Sequence, residues 1–406
     1  MNLALISLLM WRGNIMSNVS SSNGLEKYPK LRFKEFTEPW ESIKFCDLFE
    51  YIPNNTLSRA DLNYQQGYAK NVHYGDVLIK FGPVLDIKND TLPYITAVDN
   101  PRLISHTLQD GDIIIADTAE DETVGKATEI INTGLSKVVS GLHTIACRPK
   151  TTMHSTYLGF YINSPQYHKQ LISLMQGIKV LSISKSNIES TILRYPCQQE
   201  QQKICKLLNL IEKRIHKQHF IIEILKKYKR GLLSTIFSKV ANFVHLKDIC
   251  EYASSAKTMS HIDNTPKGEY PVYDAGGVAA FVDFYDIETD YIAIIKDGSG
   301  VGRLQYCQAK SSFIGTLGGL IPKNCSAFYL YTALQTIDFK EYVMGMAIPH
   351  IYYKDYKNAM LPYPCEEERT KIQAVFQNLD SKITNAEMLL EQFNQMKKSL
   401  LQQLFI

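Results

Sequence analysis

The stretch that looks most capable of chemistry is Asp297-Gly-Ser-Gly-Val-Gly-Arg303, rich in glycine and placed just after the apolar run 291–295. Such loops cradle phosphates when their glycines let several backbone N–H groups converge. The G-x-G-x-x-G spacing is missing here and no G-K-[ST] occurs, so the stretch reads as a tight hairpin presenting Arg303. Asp117, Glu120, Asp121, Glu122 and Lys126 contain the residue types of a metal-dependent nuclease. They lack the E-x-K arrangement after a strand-borne Asp and read as an acidic loop. No [DN]-P-P-[YF] motif marks an amino-methyltransferase. The 10 histidines show no H-E-x-x-H-like ligand spacing, and the 8 cysteines form no C-x-x-C pair. Those cysteines read as reduced thiols of an intracellular, cytoplasmic protein. The expectation is a protein that is not itself an enzyme and binds neither metal nor cofactor.

What the chain does offer is loops with basic, hydroxyl and aromatic side chains. An early set comprises Ser58, Arg59, Lys80, Lys126, Lys179, Ser182 and Lys185, with Lys137 nearby. A later set comprises Ser255, Lys257, Thr258, Arg303, Lys310, His350, Tyr352 and Lys354, with Tyr353. Lys and Arg neutralise phosphates, and hydroxyl groups fix the register of a nucleic-acid backbone. Arg, Lys or Asn can read base edges in the major groove. Taken singly, each of these residues is an ordinary surface group.

The elements that must position them come from an internal repeat. Residues 195–237 (YPCQQEQQKICKLLNLIEKRIHKQHFIIEILKKYKRGLLSTIF) align without a gap to residues 363–405, 168 positions later. Tyr195/Tyr363, Pro196/Pro364, Cys197/Cys365, Glu200/Glu368, Lys203/Lys371, Ile215/Ile383, Lys229/Lys397 and Phe237/Phe405 are identical. The same offset reaches back to Gly177 and Gly345. A repeat of this kind decides the architecture. Each copy has an apolar seam at spacings of three and four: Ile204, Leu208, Ile211, Ile215, Ile222, Leu225, Leu232 and Ile236, then Ile372, Phe376, Leu379, Ile383, Leu390, Phe393, Leu400 and Leu404. Five heptads predict two long helices, and two in one chain can bury each other's seams as an antiparallel coiled coil. Polar residues interrupt both seams. Lys229 and Lys397 are expected to snorkel at the rod's ends or face a partner.

Before each helix lies a region of short apolar runs between turn residues, read as strands at 76–81, 112–116, 143–147, 291–295, 313–314 and 320–321. Short helices are read at 157–176, broken at Asn163-Ser164-Pro165, and at 327–342. The fold class is therefore α+β: two pseudo-symmetric globular α/β regions joined by two long helices. The boundaries are 1–24, an extension outside the native chain or disordered; 25–194, the first region; 195–239, the first helix; 240–362, the second region; and 363–406, the second helix. With 406 residues, 45% hydrophobic and 21% charged, the composition is that of a globular protein, and no run suits a membrane span. The net charge of +3 does not announce nucleic acid, although basic residues crowd the first helix.

Taken together, these features resemble the specificity subunits of type I restriction-modification systems. The resemblance rests on the duplicated helix after Tyr-Pro-Cys with its Gln/Glu-rich first turn, and on the openings Ile43 to Leu48 and Val244 to Ile249. It also rests on the endings Lys-Arg-Gly-Leu-Leu (229–233) and Lys-Lys-Ser-Leu-Leu (397–401), and on the lead-in Pro29-Lys30-Leu31-Arg32-Phe33. It implies two target-recognition domains, each reading half of a bipartite asymmetric site in double-stranded DNA. The helix pair sets the spacer and docks two methyltransferase subunits and two restriction subunits. S-adenosylmethionine, ATP and Mg belong to those partners. The alternative is a coiled-coil scaffold for proteins without sequence-specific DNA recognition.

Overall fold

The computed structural model describes residues 15–17, 27–96, 105–345 and 347–406, so the extension 1–24 lies outside the described residues except for the strand Ile15–Ser17. The chain divides into two compact units, residues 1–217 with 389–406, and residues 218–388.

The first unit is built on a five-stranded sheet of β1 (Phe49–Ile52), β2 (Val84–Asp86), β3 (Ile113–Ala116), β4 (Ala127–Ile131) and β5 (Thr144–Pro149), in the order β1-β5-β3-β4-β2. All neighbours are antiparallel except β2 and β4. Ile113, Ile114 and Ile115 are all buried, so β3 is covered on both faces. The second unit has β6 (Cys250–Ser254), β7 (Tyr291–Ile295), β8 (Leu304–Cys307) and β9 (Leu317–Pro322), antiparallel in the order β6-β9-β7-β8. Each unit also carries a smaller sheet. It has four strands in the first unit and three in the second.

The run 76–81, expected as a strand, is instead part of the helix Tyr74–Ile79. A short apolar run does not distinguish the two states. Two polar contacts settle it. The His73 ring accepts the Gly75 N–H at 3.1 Å, and the buried Asp76 carboxylate takes both guanidinium nitrogens of Arg59 at 2.8 Å. The other expected strands and the break between helices Tyr157–Ile162 and Pro165–Ile172 are present. Pro165 sits at the first turn of the latter and Ser164 caps it.

The repeat forms α1 (Gln198–Phe237) and α2 (Glu366–Gln403), which run through both units. The seam is buried at Ile204, Leu208, Ile211, Ile215, Ile372, Phe376, Leu379 and Ile383. Within each unit the helices are antiparallel, as cross-helix ion pairs record. In the first unit Lys397 meets Glu212, and in the second Lys229 meets Asp380 at 2.6 Å and Lys226 meets Glu387 at 2.6 Å. The seam lysines thus neither snorkel outward nor wait for a partner. A carboxylate on the opposite helix takes each of them, which lets a cation sit at a core position. Gln218 donates to the Ala386 carbonyl at 2.9 Å and so satisfies the other polar seam position.

The helices belong to the globular cores. In the first unit Phe405 packs edge-on to Trp40, Tyr157 and Tyr161, and in the second Phe237 packs on Tyr329. The lead-in closes on the start of α1, where Arg32 forms a bidentate pair with Glu200 at 2.9 and 2.8 Å, both side chains buried. No helix among the described residues is long and apolar enough to cross a membrane.

Candidate nucleic-acid interface

In the first unit most of the expected residues fall along one chain of contacts. Ser58 and Asp61 form a capping box that sets the turn Arg59–Asp61 and aims Arg59 at Asp76. Arg59 remains half exposed, so its guanidinium is oriented yet still accessible. Lys80 donates to the Thr91 carbonyl and lies 5.3 Å from the centre of the exposed Tyr64 ring. From the Asp76 helix the contacts continue through aromatic groups: His73 to Tyr74 at 4.7 Å between ring centres, and Tyr74 to His143 at 5.3 Å. His143 Nδ1 stands 3.4 Å from Asp117. Beyond Asp117, Thr118 pairs in register with Ser182.

Ser182 and the exposed Lys179 belong to the loop 177–182, closed by paired backbone bonds between Gln176 and Ser182 at 2.9 and 2.8 Å. Gly177 has φ +118°, and a Cβ there would run into the Val180 carbonyl, so the turn requires glycine. Lys185 lies over Tyr51 at 5.2 Å. Lys126 is placed differently. Its ammonium donates to the Leu78 carbonyl at 2.6 Å, and burial pushes its pKa down. It supports the helix Tyr74–Ile79 from beneath and is not part of the face.

Two titratable groups on this face are perturbed. Burial raises the Asp117 carboxyl above its ordinary range, against the opposing pull of His143 and Lys185. Burial, reinforced by the Arg59 charge, lowers His73 and favours its neutral form. Asp117 lies between the strand Ile113–Ala116 and the short strand Thr118–Ala119, and Glu120, Asp121 and Glu122 follow in the bend and turn after it.

The second unit presents two patches. Ser255, Lys257 and Thr258 line an open cleft of about 730 Å³ with His261, Asp286 and Phe313. Thr258 caps the helix Met259–Asp263, and Lys257 pairs with Asp286 while covering Phe284 at 4.6 Å. Lys310, in a left-handed turn with φ +53°, lies 6.0 Å from Tyr285. The second patch holds His350, Tyr352 and Lys354. The first two rings are 5.0 Å apart, and the lysine lies 5.3 Å from Tyr352, which is 50% exposed. Arg303 ends the hairpin after β7 as expected, and donates to the Ala275 carbonyl. The hairpin joins this patch through Gly298 N–H to Pro349 O at 2.9 Å and the bridge between Asp297 and His350.

Sequence reasoning missed His73, Tyr74, His143 and the half-exposed aromatic rings under the lysines. Nothing local marks them, because contacts between distant segments bring them together. Both units nevertheless share one chemistry, cations beside aromatic rings with hydroxyls near them. Chemistry of this kind is suited to a polyanion.

The chain as a whole is similar to known proteins. The family described as Type I restriction modification DNA specificity domain matches residues 37–228 and again residues 239–395. A Methanocaldococcus jannaschii protein provisionally named the type I restriction enzyme MjaX specificity subunit is 22% identical over 331 residues, covering 80% of this chain and 70% of that protein. The type I restriction enzyme MjaVIII specificity subunit of the same organism is 26% identical over 175 residues, 40% of this chain and 41% of that one. The crystal structure of the type I restriction-modification S subunit from M. genitalium has the same fold, with a TM-score of 0.61 at 16% identity, covering 93% of this chain and 99% of that one. A chain from a structural study of complex assembly in the type I R-M system aligns at a TM-score of 0.53 and 14% identity, covering 89% of this chain and 96% of that one. With two family matches that together span most of its length, the chain belongs to the type I restriction-modification DNA specificity family.

Proposed function

We propose that this chain is the sequence-specificity subunit of a type I restriction-modification complex. Each unit reads one half of a bipartite, asymmetric site in double-stranded DNA. Supporting this, two copies of one frame carry unlike faces: the backbone pairs Gln176 with Ser182 and Met344 with His350 stand 168 residues apart, yet the side chains differ. Unlike readers select a site without two-fold symmetry. The interface comprises Ser58, Arg59, Lys80, Lys179, Ser182 and Lys185 in the first target-recognition domain (25–194). In the second (240–362) it comprises Ser255, Lys257, Thr258, Arg303, Lys310, His350, Tyr352 and Lys354. Lys126 supports the first set from below.

The helices 195–239 and 363–406 set the spacer and dock two methyltransferase subunits. Two restriction subunits complete the cytoplasmic complex. S-adenosylmethionine, ATP and Mg act in those partners, and this subunit positions a target base that must leave the stack to react. Sequencing of methylated adenines tests the reading, in a host carrying this chain and its cognate methyltransferase as the only such system. The expected result is one bipartite motif that disappears when this chain is deleted. Methylation that persists unchanged without the chain overturns the proposal.

A further inference from the structure

The two units repeat one hydrogen-bonded frame at the end of their central strand, and at one position in it the charge is reversed. In the first unit, Ala116 ends β3 opposite Thr144; the Asp117 N–H donates to the His143 carbonyl at 3.2 Å, and the Ile183 N–H donates to the Asp117 carbonyl at 2.9 Å. In the second unit, Ile295 ends β7 opposite Leu317; the Lys296 N–H donates to the Thr316 carbonyl at 2.9 Å, and the Ile351 N–H donates to the Lys296 carbonyl at 2.9 Å. The next residues correspond as well. Thr118 pairs with Ser182, and Asp297 bridges to His350. Asp117 therefore occupies in the first unit the place that Lys296 occupies in the second. Both side chains are half buried beside the glycine-turned loops 177–182 and 345–350.

Among the described residues the Asp117 head has only the His143 ring beside it, 3.4 Å from Oδ1. One Asp117 carboxylate oxygen, Oδ1, is buried and has no hydrogen-bond partner among the described residues, although His143 lies within charge-pairing distance. Among the described residues, no hydrogen bond or ion pair holds the Lys296 ammonium. A carboxylate facing DNA is repelled by phosphates and has one useful partner in the major groove, an exocyclic amino group: N4 of cytosine or N6 of adenine. An ammonium at the same place meets the opposite pattern, the O6 and N7 acceptors of guanine.

Resting on the proposed function, the geometry assigns Asp117 and Lys296 as equivalent base-reading positions, Asp117 accepting from an amino-bearing base in one half-site and Lys296 donating to guanine in the other. The desolvation that raises the Asp117 carboxyl agrees with a group that gains from an incoming donor. Such a position gives the halves different specificities without altering the backbone that carries them.

The test selects bound duplexes from a randomised pool with the purified complex of this chain and its methyltransferase subunits, and repeats the selection with Asp117→Asn, Asp117→Thr and Lys296→Met. Wild-type complex gives the reference motif. A wild-type complex that selects no bipartite motif refutes the proposed function itself and is distinct from failure of this inference. The expected result is that either Asp117 variant relaxes or changes one base of one half-site, with discrimination there falling roughly tenfold or more. Lys296→Met does the same at a guanine of the other half-site, and the spacer and remaining bases stay as they were. The selected motif tells cytosine from adenine. Unchanged motifs in all three variants overturn the assignment, as does weaker binding spread evenly over all sequences, which marks a phosphate contact or a structural role. Lys296→Met remains decisive if both Asp117 variants fail to fold.

Discussion

Two buried carboxylates carry separable stability consequences. Glu200 is held by Arg32, which also donates to the Glu38 carbonyl, so one guanidinium ties the lead-in to the start of α1. Arg32→Ala leaves a buried charge without its partner and should cost about 3–5 kcal/mol in denaturant unfolding. Arg32→Met with Glu200→Leu should recover most of that loss. Glu129 on β4 accepts the Thr156 and Gly159 N–H groups, and Thr156 Oγ1 in turn accepts from Asn209 of α1. Burial raises its pKa from 4.5 to about 7. Because the folded value exceeds the unfolded one, the native state binds the proton more tightly. The stability so gained is full below about pH 4.5 and is lost as pH rises through about 7. Relative to Glu129→Gln, wild-type stability should therefore fall by about 3 kcal/mol across that window. Calorimetry of both proteins at pH 5 and pH 8 measures this, and parallel pH profiles would contradict it. Neither residue announced its role in the sequence. Arg32 and Glu200 each belonged to a recognised motif, but their pairing is a tertiary fact.

At the scale of elements, the long helices were the most readable part of the chain. A 3.5-residue seam forces its own burial, and each apolar seam position of α1 and α2 is buried or half buried. Leu208→Asp or Leu379→Asp should unfold the unit concerned, since each places an unpaired carboxylate in a core. Circular dichroism and proteolysis report it. The seam lysines were misread because periodicity shows where a polar residue interrupts a core and not what satisfies it. Glu212 and Asp380 also stand 168 residues apart, so both seam pairs obey the repeat. Lys229→Glu sets a second carboxylate against Asp380 in a pair only 18% and 29% exposed and should cost more than about 1 kcal/mol, and Lys229→Glu with Asp380→Lys should restore most of it. The helix Tyr74–Ile79 was misassigned for a similar reason: its determinants, the His73 cap and the Arg59 partner of Asp76, are invisible to a count of apolar residues. The repeat also reaches further than Gly177. Tyr161 and Tyr329 share the offset, and each packs on a phenylalanine that closes a long helix.

For the whole molecule, the proposed measuring role of the helices has a numerical consequence. One heptad added to both α1 and α2 lengthens the pair by about 10 Å. The spacer in the methylated motif should then grow by about 3 base pairs with both half-sites intact. An unchanged spacer counts against the measuring role. Binding should also weaken steeply between low and high salt, as phosphate neutralisation demands. The two reading faces stayed largely opaque in the sequence, because their members come from loops as distant as residues 59 and 182. One feature of the fold reaches beyond recognition. In the first unit the opening and closing segments are packed together: the Trp40 N–H donates to the Lys27 carbonyl, the Trp40 ring touches Phe405, and the Tyr161 hydroxyl donates to the Ile406 carbonyl. Phe237 and the linker after it occupy the corresponding place in the second unit. The position after Phe237 in the second unit thus corresponds to the position after Phe405 in the first. A chain opened between Ser238 and Asn242, with Ile406 joined to Lys27 by a short peptide, should fold to the same two units and direct methylation by its methyltransferase partner to the same motif, its half-genes now transcribed in the opposite order.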